Sequence, residues 1–230
     1  MKNFACQTLV MFCLMVPSAF SANLVERVGA YEINWTSGKI RFYGVGKLAD
    51  GEQNLRAAEQ RAWADGLKLA EKNIPVLLNG RMGSSQKEAA EKVSKLAQLT
   101  TSVSTTYFGD HRVKVLLEAP ISKVVPQIIG DSHFSQPSAE PVGFVLRVPS
   151  GAKPSAVLQI VDEKGHELLR APSPRWFKGT APQNESGLAA DSPILSATML
   201  SQGIMKVAAS DWQAGFGSAI VGGRAAVVVQ

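Results

Sequence analysis

Three small residues set four apart, Ala58, Ala62 and Gly66, constrain this chain more than any other feature. With Leu55 and Leu69 they recur at three- and four-residue steps, which places them on one face of a helix expected over 53–73. A stripe narrowed to Ala, Ala and Gly at its centre suits a helix lying close against a sheet. The preceding segment offers a surface for that approach. Ile40, Phe42 and Val45 belong to a strand interrupted by Gly44 and Gly46. Glycine weakens a strand interior, so its use here is to let a helix backbone come near. Pro75 is expected to close the helix, because the residue before a proline is driven out of helical geometry.

The elements around this pair follow from changes of period. Tyr31, Ile33 and Trp35 alternate ahead of Thr36-Ser37-Gly38-Lys39, a hairpin turn leading into the strand of Ile40 and Phe42. A second helix is expected over 86–98, with Ala89, Val93, Leu96 and Ala97 as its apolar stripe and Ser84-Ser85 as its cap. Val103, Thr105 and Tyr107, a Gly109-Asp110 turn, and Val113, Val115 and Leu117 form a second hairpin. Residues 121–129 read as a short closing helix limited by Pro126. The order β-β-α-α-β-β predicts an α+β fold, with helices packed on an antiparallel sheet.

Residues 131–142 are small, polar and punctuated by Pro137 and Pro141, which is linker chemistry. They separate an α+β domain over 23–130 from a smaller, mostly β domain over 143–230. Strands are expected at 144–148, 157–161, 167–170 and 224–229, and a helix crowded by Gly215 and Gly217 at 211–221. The proline-rich stretch 171–193 reads as loop.

The first 22 residues have the order of a secretory signal peptide. Lys2 is followed by the apolar run Leu9 to Val16, then Pro17-Ser18 and the small residues Ala19, Ser21 and Ala22. The run is too short to span a bilayer, which takes about 20 residues. Cleavage is expected after Ser21 or after Ala22. Both cysteines, Cys6 and Cys13, lie inside this leader, and Phe12 before Cys13 disfavours lipidation. A processed chain would contain no thiol and no disulfide, and its stability would rest on packing. Its net charge falls from +5 to about +4 with the loss of Lys2. That mild excess suits contact with an anionic envelope surface, although it is also ordinary for exported proteins. No dense basic stripe with interleaved aromatics points to nucleic acid.

No catalytic set emerges. The three histidines, His111, His133 and His166, are scattered and read as solvated turn or linker residues. No metal site and no cofactor site are expected. Gly80-Arg81-Met82-Gly83-Ser84-Ser85 lacks the lysine of a phosphate-binding loop and reads as an inter-helix connection. The adjacent carboxylates Asp162 and Glu163 read as turn residues. Trp176, Phe177, Trp212 and Phe216 are the candidates for a binding surface in a loop-rich domain. Their alternative role, as core anchors, is the favoured one.

The first domain resembles the Lpp-twenty-like domain of bacterial envelope lipoproteins, and is similar to the N-terminal domain of the flagellar assembly T protein. The resemblance is carried by Ile40-Arg41-Phe42-Tyr43-Gly44-Val45-Gly46, the helix of Ala58, Ala62 and Gly66, and the later pair Val103-Ser104-Thr105-Thr106-Tyr107 and Val113 to Glu118. A weaker likeness to a C-terminal module of such envelope proteins rests on Ile160-Val161-Asp162-Glu163-Lys164-Gly165. These patterns mark fold more than function. They imply a periplasmic or outer-membrane-associated protein, in some members part of surface or flagellar machinery, and bring no catalytic residues. The acceptor cysteine of the lipoprotein members is missing here. The expectation is therefore a non-enzymatic binding or assembly protein that partners envelope proteins or itself, with peripheral contact to outer membrane or wall. The alternatives are a periplasmic hydrolase and a glycan or small-ligand binder.

Overall fold

The computed structural model describes residues 22–82, 93, 95–136, 139–179, 188–189, 191–221 and 224–230. Residues 1–21 of the leader lie outside these, as do most of the expected second helix and residues 180–187 of the expected loop. The architecture is α+β, with a mostly β second half.

Ala22–Asn23 forms a two-residue strand, β1, and β2 follows at Val25–Val28. β3 (Tyr31–Asn34) and β4 (Lys39–Lys47) make the first expected hairpin, with Gly38 at φ 68° in its turn. Helix α1 runs from Leu55 to Asn79, capped by the Asn54 carboxamide oxygen, which accepts from Arg56 N–H. A single turn, α2 (Leu96–Leu99), precedes β5 (Thr101–Tyr107) and β6 (Arg112–Pro120), and α3 (Ile121–Ile129) closes the half. The positive φ in the β5–β6 turn belongs to His111, at 64°. All of these strands but β1 form one antiparallel sheet in the order β2-β3-β4-β6-β5. Its inner face, carrying Ile33, Ile40, Phe42, Val113, Val115 and Leu117, is buried under α1.

The α1–β4 contact is as close as the small residues suggest. A Cβ added to Gly44 would lie 2.6 Å from Gly66 N and closer still to the Ala62 carbonyl oxygen. One added to Gly46 would lie 2.7 Å from Ala62 N. The buried line of α1 departs from the expected stripe. It steps by four through Ala58, Ala62, Gly66, Ala70, Ile74 and Leu78, and Leu55 and Leu69 are exposed.

Pro75 does not end the helix. It sits within α1, buried, and the helix continues to Asn79. Proline removes the N–H that would bond the carbonyl four residues back, here Glu71. That carbonyl instead accepts from the backbone N–H of Val93, at 3.1 Å. The compensation comes from the segment expected to be helical through 86–98. Val93 is buried but not helical, and Ala97, placed on the apolar stripe, is exposed.

In the second half, β7 (Phe144–Val148), β8 (Val157–Val161) and β9 (Glu167–Pro172) are followed by β10 (Arg175–Lys178), β11 (Ile194–Ser196), β12 (Thr198–Ser201) and β13 (Ile204–Lys206). Helix α4 (Gly215–Val221) leads to β14 (Ala225–Val229). β10 corrects the reading of 171–193 as loop. One sheet has the order β1-β10-β14-β7-β11, with β10, β14, β7 and β11 parallel; the other has the order β12-β13-β8-β9. All five residues of β14 are buried, the unbroken apolar run that a parallel strand covered on both faces requires.

The two halves share one contiguous cluster of buried apolar side chains. Backbone bonds cross the seam. Trp176 N–H donates to the Trp35 carbonyl at 3.1 Å, Ala156 N–H to that of Arg81 at 2.7 Å, and β1 pairs with β10. Helix α3 packs against both β6 and β9. Within the stretch read as linker, residues 131–133 form a 3₁₀ turn, Phe134 packs on the core, and Ser135 N–H donates to the Arg170 carbonyl. No helix among the described residues is long and apolar enough to cross a membrane.

Candidate functional site

The four aromatic candidates lie in the interior, not on a surface. Trp176, Phe177 and Phe216 are fully buried and Trp212 is half-buried. Successive residues of a strand face opposite sides, so Trp176 enters the main core while Phe177 joins Val145, Leu188, Ala226 and Val228 behind the parallel sheet. Trp176 Nε1 donates to Ser173 Oγ at 2.6 Å, which satisfies its one polar atom. Trp212 and Phe216 stack on Phe144, with centroids 6.0 and 4.7 Å from it. A ligand could reach these rings only by opening the core, with Trp212 the partial exception.

The polar candidates serve as joints. Asp162 Oδ1 accepts from the N–H groups of Lys164 and His166, both at 2.8 Å, and its Oδ2 lies 2.9 Å from His166 Nδ1. Desolvation raises the Asp162 pKa, but these bonds outweigh it and hold the carboxyl below the usual aspartate range. Glu163 accepts from Ala209 N–H and ties the turn to the chain after β13. His111 is in the β5–β6 turn, and the His133 side chain lies outside the described residues. Among the described residues no three His, Cys, Asp or Glu side chains cluster as a metal site would need.

A cleft of about 480 Å³ opens along the seam between the halves, lined by Leu24, Glu26, Trp35, Arg81, Lys153 and Gln202 among others. Two of its three charged groups are already engaged with each other. Arg81 Nε donates to Glu26 Oε2 at 3.0 Å, with a second bond from Nη2 to Oε1, and Trp35 Nε1 reaches the same carboxylate at 3.4 Å. The hydrogen bonds from Arg81 hold the Glu26 carboxyl below its ordinary range. Gln202 Nε2 donates to the Pro154 carbonyl. Most of the groups that would recognise a ligand are thus satisfied within one half or the other.

The first sheet is different. Its outer face is bare, and one row of side chains crosses it: Arg27 on β2, Glu32 on β3, Arg41 on β4 and Glu118 on β6, with Lys39 also on Glu118. The register sets the four members of the row directly opposite one another. In the next strand the row ends at Thr101, which is uncharged. Tyr43 and Val45 stand exposed beside it, with Lys114 Nζ 3.7 Å above the Tyr43 ring.

Strand β5 is the edge, and all seven of its residues are exposed, Val103 to 46% and Tyr107 to 51%. It contains no charge, no proline and no glycine. The other edges carry the devices that discourage strand addition. β1, β11 and β12 are two to four residues long, β2 has Glu26 and Arg27, and β9 has Glu167, Arg170 and Pro172. β5 has one such device, a register shift between Ser102 and Ser104. Behind it a groove of about 310 Å³ separates β5 from α1, lined by Arg56, Glu59, Gln60, Trp63, Ser102, Thr105 and Val115. The Tyr107 hydroxyl spans its end to Glu59.

No match to this chain is found among family models, curated proteins or solved structures.

The sequence marks residues 103–107 as a strand, yet its place at the edge follows from tertiary pairing. β4 lies beside β6, which leaves β5 outermost. The legible trace is compositional: the strand alternates Ser and Thr with only Val103 and Tyr107 as large apolar residues.

Proposed function

We propose that this chain is an exported, non-enzymatic binding or assembly protein of the periplasm or outer-membrane zone. The observation that carries the reading is the β5 edge, a long, uncharged, exposed strand in a molecule whose other described edges are short or charged. An unprotected edge is a hazard in a protein that works alone, and a docking element in one that assembles. The secretion-type leader supports the compartment, and the resemblance to envelope and flagellar assembly domains supports the class. The solvated outer face, with its basic residues Arg27, Lys39, Arg41, Lys47, Arg112 and Lys114, is suited to peripheral contact with anionic envelope material.

The test is fractionation followed by site-directed photo-crosslinking in a Gram-negative host. A photoreactive residue at Thr105 should yield a discrete adduct in the periplasmic or outer-membrane fraction, whereas one at Lys164, in a second-half turn, should yield none. Recovery in the cytosol with Met1 retained would refute the compartment. Absence of any adduct at Thr105 would refute the assembly role.

A further inference from the structure

We infer that the partner of β5 is a second copy of this chain, the two β5 strands pairing antiparallel about a twofold axis to make one continuous ten-stranded sheet. The inference rests on the assembly reading and names its occupant.

Three observations single out a second copy. Self-pairing places every residue of the strand opposite a residue of the same strand, so any charge would meet a like charge. Thr101-Ser102-Val103-Ser104-Thr105-Thr106-Tyr107 has none. Residues directly opposite must also share a face. Ser102, Thr105 and Tyr107 pair with helix-side residues of β6, and Thr101, Ser104 and Thr106 with residues of the outer face. A twofold at Thr105 satisfies this, setting Thr105 against itself and Ser104 against Thr106 of the other copy. Finally, the nearest cations are kept apart. Lys114 lies beside Thr106, so the two Lys114 residues would stand roughly 16 Å apart, about two Debye lengths at physiological salt. A foreign strand bearing acidic residues would gain from Lys114 and Arg112, and that alternative is an outcome of the test.

The joined sheet would carry the outer faces of both copies on one side, doubling the basic surface. It would also cover Thr105 and Tyr107, which stand open on the groove side. A contact built mainly from one strand pair lies at the small end of specific interfaces, so the association is expected to be weak, with a dissociation constant of about 1–100 μM.

Sedimentation velocity of the processed chain over about 5–500 μM, bracketing that range, is the experiment. The expected result is a monomer–dimer equilibrium, with protection of the 101–107 amides from hydrogen exchange rising with concentration. Thr105→Lys and Thr105→Glu should each be monomeric with unchanged melting, and an equimolar mixture of the two should recover the dimer. Thr106→Lys should weaken the dimer independently. A wild-type monomer at the top concentration, or a dimer indifferent to both lysine variants, would overturn the inference. If the wild type is monomeric but the Thr105 crosslink captures a different chain, self-pairing is wrong and the assembly role stands. If there is neither dimer nor crosslink, both fall.

Discussion

Replacing Gly44 by alanine tests the central packing claim, that α1 lies where it does because two glycines of β4 let its backbone in. The new methyl would sit 2.6 Å from Gly66 N and 2.8 Å from Ala62 C, against ordinary contacts that begin at 3.4 Å. The Ala62 carbonyl oxygen is closer still, and these neighbours are helix backbone, which cannot rotate aside, so α1 must move by at least about 1 Å. A gap of that size forfeits a quarter to a half of each contact it opens. The contacts at risk are those of Ala58, Ala62, Leu67 and Ala70 with the sheet. Overpacking costs about 1–3 kcal/mol in general, and a backbone obstacle places this site at the upper end. Removing a strand glycine returns about 0.5–1 kcal/mol through the unfolded chain. The net loss is about 2–2.5 kcal/mol, a fall in melting temperature of roughly 4–10 °C for a chain of this size. Circular dichroism melts of the processed chain read it directly. Gly80→Ala is the control, because nothing lies within 4 Å of its added Cβ and its φ is an ordinary −66°. A Gly44→Ala melt within 2 °C of wild type would mean that the helix does not rest on this strand, and the reasoning fails.

Trp176→Ala should cost about 3–5 kcal/mol in urea unfolding, the price of emptying a large core site; a surface residue would cost almost nothing. Glu118 gives a pH signature. Burial pulls its pKa up, but Lys39 and Arg41 pull it further down, so the folded value lies below the ordinary one. Its contribution is therefore present above the unfolded value of about 4.3 and lost as pH falls through the lower folded value. Wild type should lose about 1 kcal/mol more than Glu118→Gln between roughly pH 5 and pH 3, since both cations are partly solvated. A urea midpoint that falls equally in both proteins over that range would contradict it. Intact mass of exported material should show an N-terminus at Ala22 or Asn23, with no titratable thiol and no effect of reductant on melting. Persistence of either cysteine would refute the leader.

Much of the fold was legible because its key contacts demand particular residues on both sides. Gly44 and Gly46 answer Ala58, Ala62 and Gly66, and small residues in register leave little else for a helix and a strand to do. The errors have equally local causes. Leu69 lies three residues beyond Gly66, but the buried line proceeds by four to Ala70, so the leucine is left in water. Pro75 is a stop signal only if the Glu71 carbonyl has no other donor, and Val93 arrives from elsewhere in the fold to supply one. β10 hides between prolines and is four residues long; its trace is the adjacent pair Trp176 and Phe177, each needed on a different face of the same sheet. The aromatic pair carried a true signal of burial, in line with the favoured core-anchor reading, but the flanking prolines hid the strand that delivers it.

The division of labour between the sheets narrows where this molecule can be touched. In the second half β7, β8 and β14 are buried on both sides almost throughout, and the Arg81–Glu26 pair of the seam cleft is satisfied within the first half. Among the described residues the first sheet combines a solvated, charged face with a long uncharged edge. Its charged row runs through four strands in register, adding a second mark to the register that the buried inner face already sets. The row stops one strand short of the edge, so the framework is locked by charge up to β6 while β5 is left neutral. A strand needed only to complete the sheet would gain protection from a lysine at Ser104 or Thr106 with no loss of packing, because both side chains are exposed. That neither position carries one is most simply explained if the edge is kept open for another strand.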